Sequence, residues 1–334
     1  MTFKTPEILV IGSNSFSGSS FINYLLDQKI SCIGLSRSPE LPNSFLPYKQ
    51  NKNYQDFFSF FNLDLNNDLN EIVSLIDKYK FSYIVNFAAQ SMVGQSWVNP
   101  EDWYQTNIIS ISRLVNQIKD KGFIKKYVSV TTPEVYGSTN GWIKESFNFN
   151  PSTPYAVSRA SQDMHLKIYY ETFNFPVVFT RAANVYGPGQ SLYRIIPRAF
   201  IEALDKGKLT LDGGGLSSRS FIHIDDVSDA TLKICESGVP GESYHISTDT
   251  IITIKDLVLK IASIININFD DFVAIGEDRK GKDSAYWLES SKIRNELGWK
   301  DSISLDEGLI SVSKWMKENL EFLKSYPREY FHKK

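Results

Sequence analysis

Short apolar runs alternate with longer amphipathic stretches through the first half of the chain. Residues 8–11, 30–35, 83–87, 127–130 and 177–180 are nearly continuous in Val, Ile, Leu and aromatic side chains, the pattern of strands covered on both faces. Between them, 21–27, 69–79, 108–119 and 156–173 carry apolar residues at helical spacing. This βαβ rhythm predicts an α/β fold, a doubly wound parallel sheet of the Rossmann type with right-handed crossovers. The connection 37–53 holds Pro39, Pro42 and Pro47 and is predicted to wrap the surface beside the second strand. Beyond Pro188 the rhythm changes to isolated helices at 195–205, 254–265 and 305–319, separated by short strands and the run Gly213 to Gly215. A smaller α/β substrate-binding domain over the sheet's carboxyl edge is expected. The division predicted is 1–181, with 220–247 returning to it, for a dinucleotide, and 182–219 with 248–334 for the substrate.

Composition narrows the possible partners. With 42% hydrophobic residues over 334 positions the chain can fill large cores, which excludes disordered and collagen-like classes. Lys plus Arg number 36 against 38 Asp plus Glu, so a net charge of −2 offers no bulk attraction to nucleic acid or anionic lipid. Any anionic ligand must be held locally. The 2 cysteines, Cys32 and Cys235, lie far apart, and the 4 histidines never fall at metal-ligand spacing, so neither a disulfide framework nor a metal site is expected. There is no apolar run of membrane-spanning length and no cleavable leader pattern, and the expected location is cytoplasmic.

The first strand runs into GSNSFSG. Gly12 and Gly18 hold the first and third places of a GxxGxxG turn, with Ser15 in the middle one. Between a strand and a helix, such a turn brings backbone amides against a pyrophosphate, and Asn14, Ser15, Phe16 and Ser17 are the positions that would face it. At the end of the second strand, where an acidic residue would hold the ribose hydroxyls of NAD, stand Ser36, Arg37 and Ser38. Arginine suits a 2′-phosphate, so NADP is the expected cofactor, with NAD the alternative. Asp64, just after the third strand and followed by Leu65, is the expected adenine-side contact.

Further on, VTTPEVYGS ends a strand and PYAVSRA opens the next helix, placing Tyr155 and Arg159 on one helical face. A cation beside a tyrosine hydroxyl favours the phenolate, which can take a proton from an alcohol as that alcohol is oxidised. On these motifs, with NFAAQS at 86–91, NVYGPGQ at 184–190, RSFIHIDDV at 219–227 and DRKGKDSAY at 278–286, the chain resembles the extended short-chain dehydrogenase/reductases. Within that family it is similar to the nucleotide-sugar 4,6-dehydratases acting on dTDP-glucose or GDP-mannose.

The resemblance implies a nicotinamide cofactor contacted also by Ala88, Ala89, Gln90, Asn107 and Val185. It implies Tyr155 as base at the sugar C4 hydroxyl, Thr132 on the same oxygen, and Glu134 as the base that removes the C5 proton before water leaves from C6. Asn184, Arg194, Arg219 and Arg279 fall where the family holds a nucleotide diphosphate, beside Ser91, and a homodimer is expected. Two positions depart from the pattern: Pro133 stands where the dTDP-glucose enzymes carry the acid that protonates the leaving hydroxyl, and Arg159 replaces a lysine. A 4-epimerase or 4-oxidase, or a weakly active nucleotide-sugar binder, are the alternatives, and base and sugar stay open.

Overall fold

The computed structural model describes residues 6–139, 141–277 and 287–333. Seven parallel strands form the central sheet: β1 (Ile8–Ile11), β2 (Cys32–Ser36), β3 (Phe58–Asn62), β4 (Tyr83–Asn86), β5 (Lys126–Thr131), β6 (Val177–Ala182) and β7 (Ser243–Ile246). Their spatial order is β7-β6-β5-β4-β1-β2-β3. The order reverses between β1 and β4, and a ligand crevice opens beyond the carboxyl ends at such a switch point.

Helices α1 (Phe16–Asp27), α2 (Leu69–Tyr79), α3 (Ile111–Ile118), α4 (Pro154–Phe173), α5 (Ile195–Leu204), α6 (Ile224–Ser237), α7 (Ile254–Ile265) and α8 (Leu305–Glu318) account for most of the packing. One face of the sheet buries Val10, Val85 and Val128 against Phe21, Leu25 and Ile234 of α1 and α6. The other buries Leu9, Ile33 and Ile84 against Ile72, Leu114 and Leu166 of α2, α3 and α4. Cys32 and Cys235 are free thiols buried within the first of these cores. A further core gathers Phe200, Leu211, Leu257, Ile261, Leu309 and Trp315 from α5, α7, α8 and the short strand Leu209–Asp212. No helix among the described residues is long and apolar enough to cross a membrane.

The connection 37–53 does not merely wrap the surface, as its prolines suggest. It forms two 3-10 turns, Asn43–Phe45 and Pro47–Gln50, and buries Phe45, Leu46 and Tyr48. Phe45 enters the core of α5, α7 and α8, whereas Leu46 and Tyr48 enter the sheet core beside α1. Aromatic side chains on a proline-stiffened turn have two apolar sinks within reach, and burial outweighs exposure.

Candidate active site

The glycine turn lies at the switch point. Gly12 has φ of +85°, and a Cβ there would come within 2.6 Å of the Ala88 amide nitrogen at the end of β4. Only glycine lets the two strand ends approach so closely. Ser15, the departure from the glycine pattern, has ordinary extended dihedrals and caps α1: its hydroxyl donates to the Gly12 carbonyl at 2.7 Å and accepts from the Gly18 amide at 3.0 Å. The serine therefore fixes the turn that a middle glycine would merely permit. Asn14 ties the same turn to the β2 edge, donating through Nδ2 to the carbonyls of Ser38 at 2.8 Å and Pro39 at 2.9 Å.

A cleft of about 1140 Å³ opens from this turn. It exceeds the usual volume for one small ligand and is large enough for a dinucleotide and a second nucleotide side by side. Gly12, Asn14, Ser15, Phe16, Ser17, Ser36, Arg37, Ser38, Asp64, Leu65, Ala88, Ala89, Gln90 and Val185 all line it. So do Ser91, Thr132, Glu134, Tyr155, Arg159, Asn184 and Arg194.

The reactive cluster is built where β5 ends and α4 begins. Thr132 caps the 3-10 turn Pro133–Tyr136, its hydroxyl accepting from the Glu134 amide at 3.3 Å, and Pro133 takes the first position, where no N–H is needed. Thr153 caps α4 in the same manner, accepting from Ala156 at 3.1 Å. These two caps bring the Tyr155 hydroxyl close to Thr132. Burial pushes the Tyr155 phenol above its ordinary range; the Arg159 guanidinium pulls it down, Glu134 pushes it up, and Thr132 and Arg194 pull it down.

Arg159 is 2% exposed, and one arm of its guanidinium donates to the Val130 carbonyl. Its Nε and Nη1 are buried with no partner among the described residues. Buried donors left unsatisfied are costly, so the site calls for acceptor oxygens beside Tyr155, which the hydroxyls of a ribose would supply. Together with the Gly12 approach, these orphaned donors fit a nicotinamide dinucleotide. One turn further along α4, the buried Asp163 accepts from the buried Arg181 Nη2 at 2.7 Å and from the half-buried Thr131 hydroxyl at 3.0 Å. The sequence patterns left this pair unmarked. An aspartate eight residues beyond Tyr155 is its only sequence signal.

Several expected residues are placed differently. Asn107 does not line the cleft: its amide exchanges two hydrogen bonds with the Gln90 backbone, both at 2.9 Å, and donates to Ser158 at 2.9 Å. It is a strut between the NFAAQS loop and α4. Gly18 lies behind the turn, within van der Waals reach of the Gly12 carbonyl, and packs the helix on the strand. Arg219 also stays off the cleft, donating to the Ser218 carbonyl at 2.8 Å. Asp64 lines the cleft while its carboxylate closes a local turn, accepting from Asn66 N at 2.9 Å and Asn67 Nδ2 at 2.8 Å. Arg279 falls outside the described residues. Arg198, which no motif singled out, lines the cleft.

A tyrosine and a cation one helical turn apart, over the carboxyl ends of a dinucleotide-type sheet, place the chain among the extended short-chain dehydrogenase/reductases. The chain belongs to the GDP-mannose 4,6 dehydratase family, whose profile matches residues 9–312. It is therefore an enzyme of the nucleotide-sugar 4,6-dehydratase group. The dTDP-D-glucose 4,6-dehydratase of Homo sapiens is 30% identical over 94% of this chain and 90% of its own length. A probable dTDP-glucose 4,6-dehydratase of Sinorhizobium fredii is 28% identical over 94% and 93%. Among solved structures, DesIV, a dTDP-glucose 4,6-dehydratase of Streptomyces venezuelae with NAD bound, superposes with a TM-score of 0.85 at 29% identity, covering 94% of this chain and 98% of that one. A UDP-glucose 4-epimerase of Thermotoga maritima, at 24% identity and a TM-score of 0.84, shares the fold.

Proposed function

We propose that this enzyme converts a nucleoside-diphosphate hexose to its 4-keto-6-deoxy product, and the observation that carries the assignment is Glu134 beside Tyr155 in one cleft. When bound, the nicotinamide takes a hydride from the sugar C4 and returns it to C6. Tyr155 accepts the proton of the C4 hydroxyl, and Thr132 orients that oxygen. Glu134 removes the C5 proton, acidified by the adjacent ketone, and delivers it to the departing C6 hydroxyl; as hydride reaches C6, a solvent proton is added at C5, and Tyr155 releases to solvent the proton it took. With Pro133 in place of a separate acid, the one carboxyl serves both transfers. An epimerase needs no carboxylate at this point. Incubation with a panel of GDP-, UDP-, CDP- and dTDP-hexoses, followed by mass, tests the reading: loss of one water supports it and names base and sugar, and an isomer of unchanged mass would replace it with epimerisation.

For the cofactor we propose NADP, although the DesIV structure holds NAD. Ser36, Arg37 and Ser38 end β2 without a carboxylate, and Arg37 offers a charge-assisted fork to a 2′-phosphate. Arg37→Ala is expected to raise the NADP dissociation constant roughly 10- to 100-fold, the worth of one charged hydrogen-bonding group. The NAD constant should move far less; equal losses in titrations of both would end the assignment.

Arg159 keeps the cation that the family's lysine supplies, with its second arm resting on Val130. Because this guanidinium holds the buried Tyr155 phenol down, Arg159→Gln moves the phenol further up. The phenolate is the active base, so the ascending limb of the kcat/KM profile shifts to higher pH, with about tenfold lost at neutral pH for each unit. An unmoved limb would detach Arg159 from the base.

We further propose the division sketched from sequence, with 1–181 and 220–247 holding the dinucleotide and the remainder holding the nucleotide sugar around Asn184 and Arg194. Val157, Met164 and Ile168 form an exposed apolar stripe on α4 beside exposed Ile109, and a homodimer built on that stripe follows. A cytoplasmic setting suits such a chain.

A further inference from the structure

The stretch beyond α8 crosses the mouth of the cleft. After the short helix Leu320–Lys324, residues 326–333 form neither helix nor strand. Tyr326, Arg328, Tyr330 and His332 are half-buried, whereas Pro327, Glu329, Phe331 and Lys333 are exposed. That alternation is the signature of an extended ribbon lying with one face down.

Both flanks of the cleft hold the ribbon. On the α5 side, Tyr326 packs on Phe45 with ring centroids 4.5 Å apart. Arg328 Nη1 donates to Glu202 at 2.8 Å, its second arm reaches Asp205, and Arg198 donates to the Arg328 carbonyl at 2.6 Å. On the sheet side, His332 Nε2 meets Asp102 at 2.7 Å, and its ring stacks on Trp103 at 4.9 Å and 16°. The Lys333 carbonyl accepts from Gln90 Nε2 at 2.7 Å and from Arg37 Nη2 at 3.0 Å. Between the anchors, Tyr330 meets Tyr193 edge-on at 5.5 Å and lies 3.5 Å from Gln90 Oε1. Tyr326, Arg328, Glu329 and Tyr330 all line the cleft, whose volume persists beneath them. The ribbon is thus a roof over the cleft, not a plug within it.

We infer that residues 326–333 are a strap that closes the dinucleotide side of the cleft and holds the cofactor resident from one turnover to the next, with His332 on Asp102 and Trp103 as its far anchor. The inference rests on the nicotinamide reading above. Residency suits that reaction: the cofactor ends each cycle in its starting form, and its exchange serves no purpose. Departure of a ligand under a two-ended cover requires one anchor to open first. The four sheet-side contacts are therefore in series with cofactor release. Arg37 can serve strap and phosphate together, since a guanidinium carries five donors and the Lys333 carbonyl takes one.

The paired substitution Tyr330→Ala with His332→Ala tests this, with the outward-facing Phe331→Ala as control. Cofactor-loaded protein is chased with excess competing dinucleotide, and release is followed by fluorescence of the reduced nicotinamide. The paired variant is expected to release at least about tenfold faster, while Phe331→Ala stays within about twofold of the unmodified protein. Independently of any variant, cofactor should slow hydrogen exchange of the 326–333 amides in the unmodified protein. Unchanged release, or exchange indifferent to cofactor, overturns the strap and leaves the nicotinamide reading standing. Tighter binding in the variant overturns it also, because the segment would then be a competitor. Failure of any nicotinamide to bind the unmodified protein defeats the cofactor assignment itself and the strap with it.

Discussion

Glu134→Gln stops water loss and spares the first oxidation. The amide keeps the size of the side chain and loses the ability to take a proton from C5 or give one to the C6 hydroxyl, so both transfers fail with a single change. Because a positioned acid or base is worth about 10²–10⁴ in rate, dehydration should fall by that factor. Thr132 accepts from the Glu134 backbone amide, not its side chain, so the Thr132–Tyr155 contact survives the substitution. The near-ultraviolet band of reduced nicotinamide should still develop on addition of substrate, and the C5 position should stop picking up deuterium from solvent. Dehydration at the unmodified rate would remove Glu134 from the chemistry; loss of the early band as well would show that its charge is needed before C4 is oxidised.

Asp163→Ala carries the largest expected cost in stability. Asp163 and Arg181 are wholly buried and joined at 2.7 Å, with the guanidinium carbon 5.3 and 5.2 Å from the ring centroids of Tyr136 and Phe149. Burial holds the Asp163 carboxyl above its ordinary range even though Arg181 and Arg159 both pull it down, so desolvation outweighs the attraction. Such a pair adds little to stability when intact, yet removing one member strands the other. The expected loss is about 3–5 kcal/mol, read as a fall in melting temperature on the order of 10 °C. Asp163→Leu combined with Arg181→Met removes both charges and should recover most of the loss. A single alanine variant that melts within about 2 °C of the unmodified protein would contradict this account.

The interior of the sheet and its cleft-facing loops were legible in the sequence because their signals are local. Strand 8–11 and helices 69–79 and 254–265 have the bounds their periodicity predicts. The bounds of the edge strands were not legible. FSFFN in β3 and SYHI in β7 mix polar with apolar residues, and β7 buries its serine and histidine, so no hydrophobic run marks it. Helix α1 starts at Phe16, ahead of its predicted start at 21, since FSGSS has weak helical propensity and relies on the Ser15 cap. At the site, motif residues such as Tyr155 and Thr132 converged because each motif specifies a loop at a strand end. Asn107 did not, because its partners Gln90 and Ser158 are set by tertiary packing that a motif does not encode, and Arg219 turns back onto the neighbouring Ser218 carbonyl. The strap was invisible for a related reason: its alternation gains meaning only with the cleft beneath it.

The 3-10 turns between β2 and β3 join the fates of the two cores. Phe45 and Leu46 are adjacent in the chain and point into different apolar interiors. Neither core can loosen without pulling on a neighbour held fast in the other, and Phe221 with Ile222 makes the same link a second time. This stitch makes their unfolding a shared event.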